Sequence, residues 1–215
     1  MLLASLITLT VLLMLSLRWI DPPTSSYIIR YEIAAQRDAK HQWVDFESIT
    51  WNMPLAAIAA EDQRFPNHWG FYLRQIQLAF QSNRKGGSQR GASTISQQTI
   101  KNLFLWPKRS YLRKGLEAWL TLWMEIIVPK KRILEIYLNI AQFGKSVFGI
   151  EAAAKHYFGT SAKWLTASQS RLLAASLPTP SSSNPAKPSE YLLQREKKLA
   201  VDMPKLGGQA LIKRL

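Results

Sequence analysis

At 215 residues the chain is long enough for one domain with a real core. Lys plus Arg outnumber Asp plus Glu by 28 to 14, and a net charge of +14 calls for a polyanionic partner: nucleic acid, an anionic bilayer or a phosphorylated substrate. There is no Cys, which excludes thiolate zinc sites and cysteine nucleophiles, and His41, His68 and His156 are too scattered for a His-rich metal site.

From Met1 to Leu17 the chain is uncharged and almost wholly Leu, Ile, Val, Ala, Met, Ser and Thr. With Trp19 and Ile20 this makes about 20 residues, the length of a spanning helix. Arg18 and Trp19 fall where snorkelling cations and interfacial aromatics are expected. Residues 1–20 therefore read as an N-terminal transmembrane anchor. A cleaved signal peptide fits less well, because no small-x-small site precedes Asp21-Pro22-Pro23 and the apolar run is long for one. No Lys or Arg precedes the run, so charge alone does not orient it.

Asp21 to Ser26 is a short extended linker. Tyr27 to Trp43 alternates apolar and polar residues over short stretches, compatible with a strand or an irregular lead-in. Residues 21–50 are taken together as linker and lead-in, and 51–215 as the main domain. From Pro54 the pattern is helical, and the first helix runs to about Asp62. A second covers 71–80 with Leu73, Ile76 and Phe80 on one face. Gln81–Ala92 is a Gly-rich polar loop, and Ser93–Asn102 is a helix. Ser110 caps a long helix reaching Val128, Pro129 opens the next over 130–141, and two more follow near 148–157 and 166–176. The last of these carries a Thr166-x-x-Gln169 capping box. After the Pro/Ser-rich loop 178–188, Ser189 caps a terminal helix. The fold class is mainly α.

Four segments carry chemistry. Glu61-Asp62 stands at the exit of the small apolar helix Leu55–Ala60, just before a Pro/Asn/Gly turn through Phe65, Pro66, His68 and Gly70. A carboxylate there is partly desolvated, which raises its pKa toward general-base work; a surface acid pair is the plain alternative. Next, Arg90-Gly91-Ala92-Ser93-Thr94-Ile95-Ser96-Gln97-Gln98 offers hydroxyl, amide and backbone donors at a helix start, and Thr94, Gln98 and Lys101 share one face. Third, Arg113 and Lys114 precede Glu117 by four and three residues on a strongly apolar helix, so an ion cluster there lines a cleft rather than decorating a surface. Fourth, Arg132, Glu135, Tyr137 and Asn139 read as bracing. Between residues 84 and 134 eleven basic residues face two acids, Glu117 and Glu125. The charge is concentrated where the motifs are.

Taken in order, Glu61-Asp62-x-x-Phe65-x-x-His68-x-Gly70, Gly91-x-Ser93-Thr94-Ile95-x-Gln97-Gln98, Arg113-Lys114-x-x-Glu117-Ala118, Arg132-Ile133-Leu134-Glu135-x-Tyr137-x-Asn139 and Gly149-Ile150-Glu151-Ala152-Ala153-x-x-Tyr157-Phe158 resemble the peptidoglycan glycosyltransferase family. The resemblance covers nearly everything after the anchor, and the lack of room for a transpeptidase domain makes the chain similar to the family's monofunctional members. The family's usual Gly-Gly-Ser-Thr-x-Thr-Gln-Gln has Ala92 and Ser96 here, both small or hydroxyl-preserving.

The resemblance implies a lysozyme-like helical domain with a small membrane-proximal jaw. It implies polymerisation of lipid II into a nascent glycan strand at the outer face of the inner membrane, with inversion and release of undecaprenyl diphosphate. Glu61 matches the general base and Glu117 the second essential carboxylate. Arg113, Lys114 and Lys101 match the diphosphate-holding positions. Asp62, Phe65, His68, Gly91, Ser93, Thr94, Gln97 and Gln98 match the substrate-binding motifs. It further implies a divalent cation, Mg or Mn, on the substrate diphosphate without a visible ligand set, no nucleic-acid partner, and partners among cell-division and cell-wall synthesis proteins. Two other classes remain for comparison. A lysozyme-type hydrolase would leave the cations beside Glu117 without a role. A non-enzymatic basic protein that binds phospholipid or nucleic acid would not need Glu61.

Overall fold

The structure is a computed structural model and describes residues 1–72, 93–108 and 110–215. These residues form ten α-helices: α1 (Leu2–Trp19), α2 (Ser26–Ala35), α3 (Asn52–Glu61), α4 (Ile95–Phe104), α5 (Tyr111–Ile127), α6 (Lys130–Ile140), α7 (Ile150–Phe158), α8 (Ala167–Ser176), α9 (Glu190–Lys205) and α10 (Gln209–Lys213). Two short strands, β1 (Lys40–His41) and β2 (Val147–Phe148), pair in parallel with Lys40 opposite Val147. The fold is mainly helical. Residues 73–80 of the expected helix over 71–80, the loop Gln81–Ala92 with Gly91, and Arg109 lie outside the described residues; Phe71 and Tyr72 are not helical.

A helix that is apolar on every face has to lie inside, and α3 is one: Met53 to Ala59 are all buried. It packs against α6, α8, α9 and α10, so its last residue, Glu61, is delivered from the centre of the molecule to the edge of a cleft. The second layer is α4, which lies across α5 and α6 through Ile95, Ile100 and Leu103. Capping places the helix starts: Ser110 accepts from the Arg113 amide, Ser189 from Leu192, and Thr166 and Gln169 form the expected reciprocal box.

Behind the cleft, α6 ties the domain together. Asn139 exchanges two hydrogen bonds with the backbone of Val44, each 2.9 Å, and the Phe46 amide donates to Glu135 at 2.9 Å. Arg132 bonds Glu135 at 2.9 Å and also the carbonyls of Leu17 and Ile20, while Tyr137 is buried in the core.

Two readings change, and a third, the anchor, is not confirmed as a span. Residues 26–35 are neither strand nor irregular but helix. Ser25 caps α2 through the Ile28 amide, and Ser26 donates to the carbonyls of Asn102 and Leu105, so the segment is pinned to α4. Leu103-Phe104-Leu105-Trp106, followed by Pro107-Lys108-Arg109, has the look of an interfacial segment in sequence. In the fold Leu103 and Leu105 are only 6% and 4% exposed, with Phe104 and Trp106 packed partly against the same core. The exposed apolar stripe lies one helix further on, at Leu112, Leu116, Leu122 and Ile126 of α5. Finally, among the described residues no helix is long and apolar enough to cross a membrane. The 18 residues of α1 span about 27 Å at 1.5 Å per residue, against a hydrocarbon core of about 30 Å. One face of α1 is buried on α5 through Thr10, Met14 and Leu17, with Trp119 donating to Thr10 at 3.2 Å; Leu3, Leu6, Leu9 and Leu12 face outward.

Candidate active site

α3 stops at Glu61 because Asp62 leaves helical geometry (φ −158°) and the chain then turns through the short 3₁₀ stretch Phe65–Asn67. Glu61 is partly buried, and Gln98 of α4 donates from Nε2 to its Oε2 at 2.8 Å. Burial pushes the Glu61 carboxyl above its ordinary range; the Gln98 bond and the charges of Arg195 and Lys101 pull the other way, and Asp62 adds to the rise.

Asp62 serves the adjacent turn. It is 3% exposed and accepts from Tyr72 Oη at 2.6 Å, from the Ile95 amide at 3.0 Å and from His68 Nε2 at 2.9 Å. The Gly70 amide donates to His68 Nδ1 at 2.8 Å, so the neutral imidazole carries its proton on Nε2 and donates it to Asp62. Burial, then the bond to Asp62, raises the Tyr72 phenol. Phe65 is fully buried below Lys130, whose Nζ sits 4.5 Å from the ring centroid.

Thr94 and Gln97 form a capping box at the start of α4, and Thr94 Oγ1 also donates to the Gly70 carbonyl at 2.8 Å. Asp62, His68, Thr94 and Gln97 thus make hydrogen bonds inside the protein, welding the turn after Glu61 to the helix that bears Gln98 and Lys101. Ser93 is half-buried at the cleft edge, with its carbonyl 3.5 Å from Gln98 Nε2.

The opposite wall is α5. Glu117 is 2% exposed, with Arg113 Nη1 at 2.7 Å from one oxygen and Lys114 Nζ bonded to the other. Arg113 is buried too, and its Nε donates to the Lys108 carbonyl at 3.1 Å. Lys114 stays about half exposed. Lys101 stands between the walls: burial lowers its pKa, and both Glu117 and Glu61 raise it. Its Nζ also lies 5.5 Å from the Tyr27 ring. The structure therefore gathers Glu61, Gln98, Lys101, Arg113, Lys114 and Glu117 around one cleft.

Sequence reasoning missed Glu125, which is buried and bonded to Ser96 Oγ and to Lys130 Nζ, the latter at 2.7 Å. The five-residue gap between Glu125 and Lys130 crosses Pro129 and has no helical spacing, so the only signal was the hydroxyl at Ser96, placed where the second acid of α5 meets α4. Arg195 was missed as well; it reaches the Glu61 side from α9, its Nε held by the Ala175 carbonyl at 3.1 Å.

A carboxylate with a raised pKa, facing a cationic cluster built on a buried acid, defines a site for transfer of a glycosyl group from an anionic leaving group. In line with this, the Transglycosylase family matches residues 29–204, and the chain belongs to that family. It is 47% identical over 215 residues to a "Biosynthetic peptidoglycan transglycosylase" of Stutzerimonas stutzeri, covering 98% of this chain and 89% of that protein. Proteins with the same description are 48% identical in Shewanella oneidensis (95% of this chain, 89% of that protein) and 52% identical in Chromohalobacter salexigens (82% and 75%).

Proposed function

We infer that the chain is a peptidoglycan glycosyltransferase that polymerises lipid II into glycan strands in the cell envelope. The observation carrying this reading is the pairing of Glu61, held by Gln98, with the Arg113–Glu117–Lys114 cluster across Lys101. Glu61 takes the proton from the acceptor sugar's 4-hydroxyl. That oxygen attacks the anomeric carbon of the growing strand from the face opposite the diphosphate, inverting configuration as undecaprenyl diphosphate leaves. Negative charge grows on the departing diphosphate, and Lys101, Lys114 and Arg113 are preorganised to meet it. Glu117 keeps the two α5 cations in place by pairing with both.

A lysozyme-type hydrolase is the rival on the same fold. It needs a second carboxyl free to act as nucleophile or base, whereas both Glu117 oxygens are engaged by cations. The donor set does not fit a resident metal either: among the described residues no three His, Asp or Glu side chains cluster, and Glu117 would have to leave its cations to become a ligand.

Leaving the lipid tail in a bilayer requires the cleft to face the membrane. The outward leucines of α1 and the Leu112–Ile126 stripe of α5 support a single-pass inner-membrane anchor and a membrane-proximal jaw, with the catalytic domain periplasmic. Partners from cell-wall synthesis and cell division fit the same location. The test is release of undecaprenyl diphosphate from labelled lipid II with growth of glycan strands. Shortening of preformed strands, without use of lipid II, would overturn the reading in favour of a hydrolase.

A further inference from the structure

A cavity of about 510 Å³ opens between the Pro66–Trp69 turn, the carboxyl end of α5 and the end of α1, with Arg18, Asn67, Trp69, Ile126 and Lys130 in its lining. It is not the catalytic cleft. Glu125, on its wall, lies eight residues beyond Glu117 on α5, roughly 12 Å along the helix axis.

Arg18 ends the uncharged run of α1 and is followed by the exposed Trp19 and Ile20, while Trp69 and Ile126 of the lining are exposed and form an apolar rim. The polar groups of the lining, among which Arg18, Asn67 and Trp69 are exposed, differ in how far they are used. His68 has both ring nitrogens occupied, and Lys130 is paired with Glu125. Arg18 makes one long hydrogen bond, Nη1 to the Ile127 carbonyl at 3.4 Å, with its guanidinium 5.3 Å from the Trp19 ring. Among the described residues the Asn67 amide and the Trp69 indole make no side-chain hydrogen bond. A planar guanidinium with spare N–H groups, an amide and an indole N–H around this hollow are a donor set for phosphate oxygens. An apolar rim continuous with the leucines of α1 is a place for acyl chains.

We propose that this cavity binds the phosphate of an anionic phospholipid drawn from the bilayer, fixing the end of α1 against the turn that follows Glu61. The proposal rests on α1 lying in the bilayer. A phospholipid suits the site because Arg18 stands at headgroup depth and the one acid among the described lining residues, Glu125, is already neutralised by Lys130.

The experiment is native mass spectrometry of the full chain released from micelles containing phosphatidylglycerol or phosphatidylcholine. One retained phosphatidylglycerol per chain is expected, with retention of phosphatidylcholine at least fivefold lower. Arg18→Gln, and separately Asn67→Ala on the exposed turn, should reduce phosphatidylglycerol retention at least fivefold, while Lys114→Ala should retain it like the parent. Asn67→Ala keeps the test sharp if Arg18→Gln fails to fold. Equal retention of the two lipids, or unchanged retention in both cavity variants, overturns the proposal. Displacement by 10 mM inorganic phosphate, or by stoichiometric lipid II from parent and Lys114→Ala alike, also overturns it, showing a free-phosphate site or a second substrate subsite instead. Flotation with phosphatidylcholine vesicles separates the failures. A chain that does not float refutes the reading of α1, whereas one that floats and retains no phosphatidylglycerol refutes only this site.

Discussion

Gln98 donates from Nε2 to Glu61 Oε2 at 2.8 Å, and that bond opposes the burial surrounding the carboxylate. Burial holds the Glu61 pKa up; the amide favours the charged form and holds it down. Removing the amide in Gln98→Ala leaves the rise unopposed by it. Since the base must be ionised to act, the acid limb of the kcat/KM profile should move to higher pH, with activity recovering toward the alkaline side. A limb that stays in place would mean Gln98 does not set the ionisation of Glu61.

Glu61→Gln should lower polymerisation by at least about 10²-fold, the typical share of a general base, and should not lower the melting temperature at neutral pH. The sign follows from linkage. A carboxyl whose folded pKa lies above its unfolded value contributes most stability at low pH, and that contribution is lost as pH rises from the unfolded value through the folded one. At neutral pH the ionised Glu61 is therefore a net burden on the fold, which an amide of the same shape relieves. Thermal melts and lipid II turnover on the same preparation check both halves.

The two cations beside Glu117 should separate. Lys114 is half exposed, so Lys114→Ala should slow use of the diphosphate-bearing donor while moving stability by no more than about 1 kcal/mol. Arg113 is buried with Glu117, and removing it leaves a buried carboxylate short of a partner, so Arg113→Ala should lose activity and destabilise by about 3–5 kcal/mol. Equal melting temperatures for the two variants would contradict the burial difference that separates them.

Local signals were readable wherever chemistry is local. The Ser110, Thr166 and Ser189 caps, the all-apolar α3 and the i, i+3, i+4 cluster around Glu117 were all legible as sequence patterns. The same Thr-x-x-Gln pattern at Thr94 and Gln97 caps α4, and small donors at a helix start look alike in sequence whether they face a ligand or their own backbone. α2 was illegible for another reason: it is held by Ser26 against carbonyls 76 and 79 residues away, and no local period announces that. Glu125 carries no local signal, because its partners Ser96 and Lys130 are brought to it by the fold.

Asp62 joins the turn after Glu61 to α4 through the Ile95 amide, Tyr72 and His68. Asp62→Asn keeps the shape but must present an NH₂ group to one of these donors, and should destabilise by about 1–3 kcal/mol. Protection of the α4 amides against hydrogen exchange should fall first at Ile95. The expected kinetic effect is a drop in kcat, because the base loses its fixed position. The acid limb of the pH profile should move only slightly and to lower pH, because Glu61 keeps its amide partner and loses the small upward push of Asp62. Unchanged α4 protection would show that the capping box alone secures the helix start.

Opposite outcomes are expected from two pairs of leucines only a helix apart. Leu112 and Leu122 project from the outer stripe of α5 at 71% and 43% exposure, whereas Leu103 and Leu105 are inside. In Leu103→Ser/Leu105→Ser each change removes buried apolar surface and leaves a hydroxyl in its place, and large-to-small core changes cost about 2–5 kcal/mol each. That variant should unfold or melt far below the parent in detergent. Leu112→Ser/Leu122→Ser removes little from the core, so its melting temperature should barely move. If α5 meets the bilayer, its turnover of lipid II embedded in vesicles should fall several-fold, with less effect on lipid II dispersed in detergent. Should the first variant instead melt like the parent and lose only vesicle activity, residues 103–106 would be the membrane-facing segment and the α5 stripe would not.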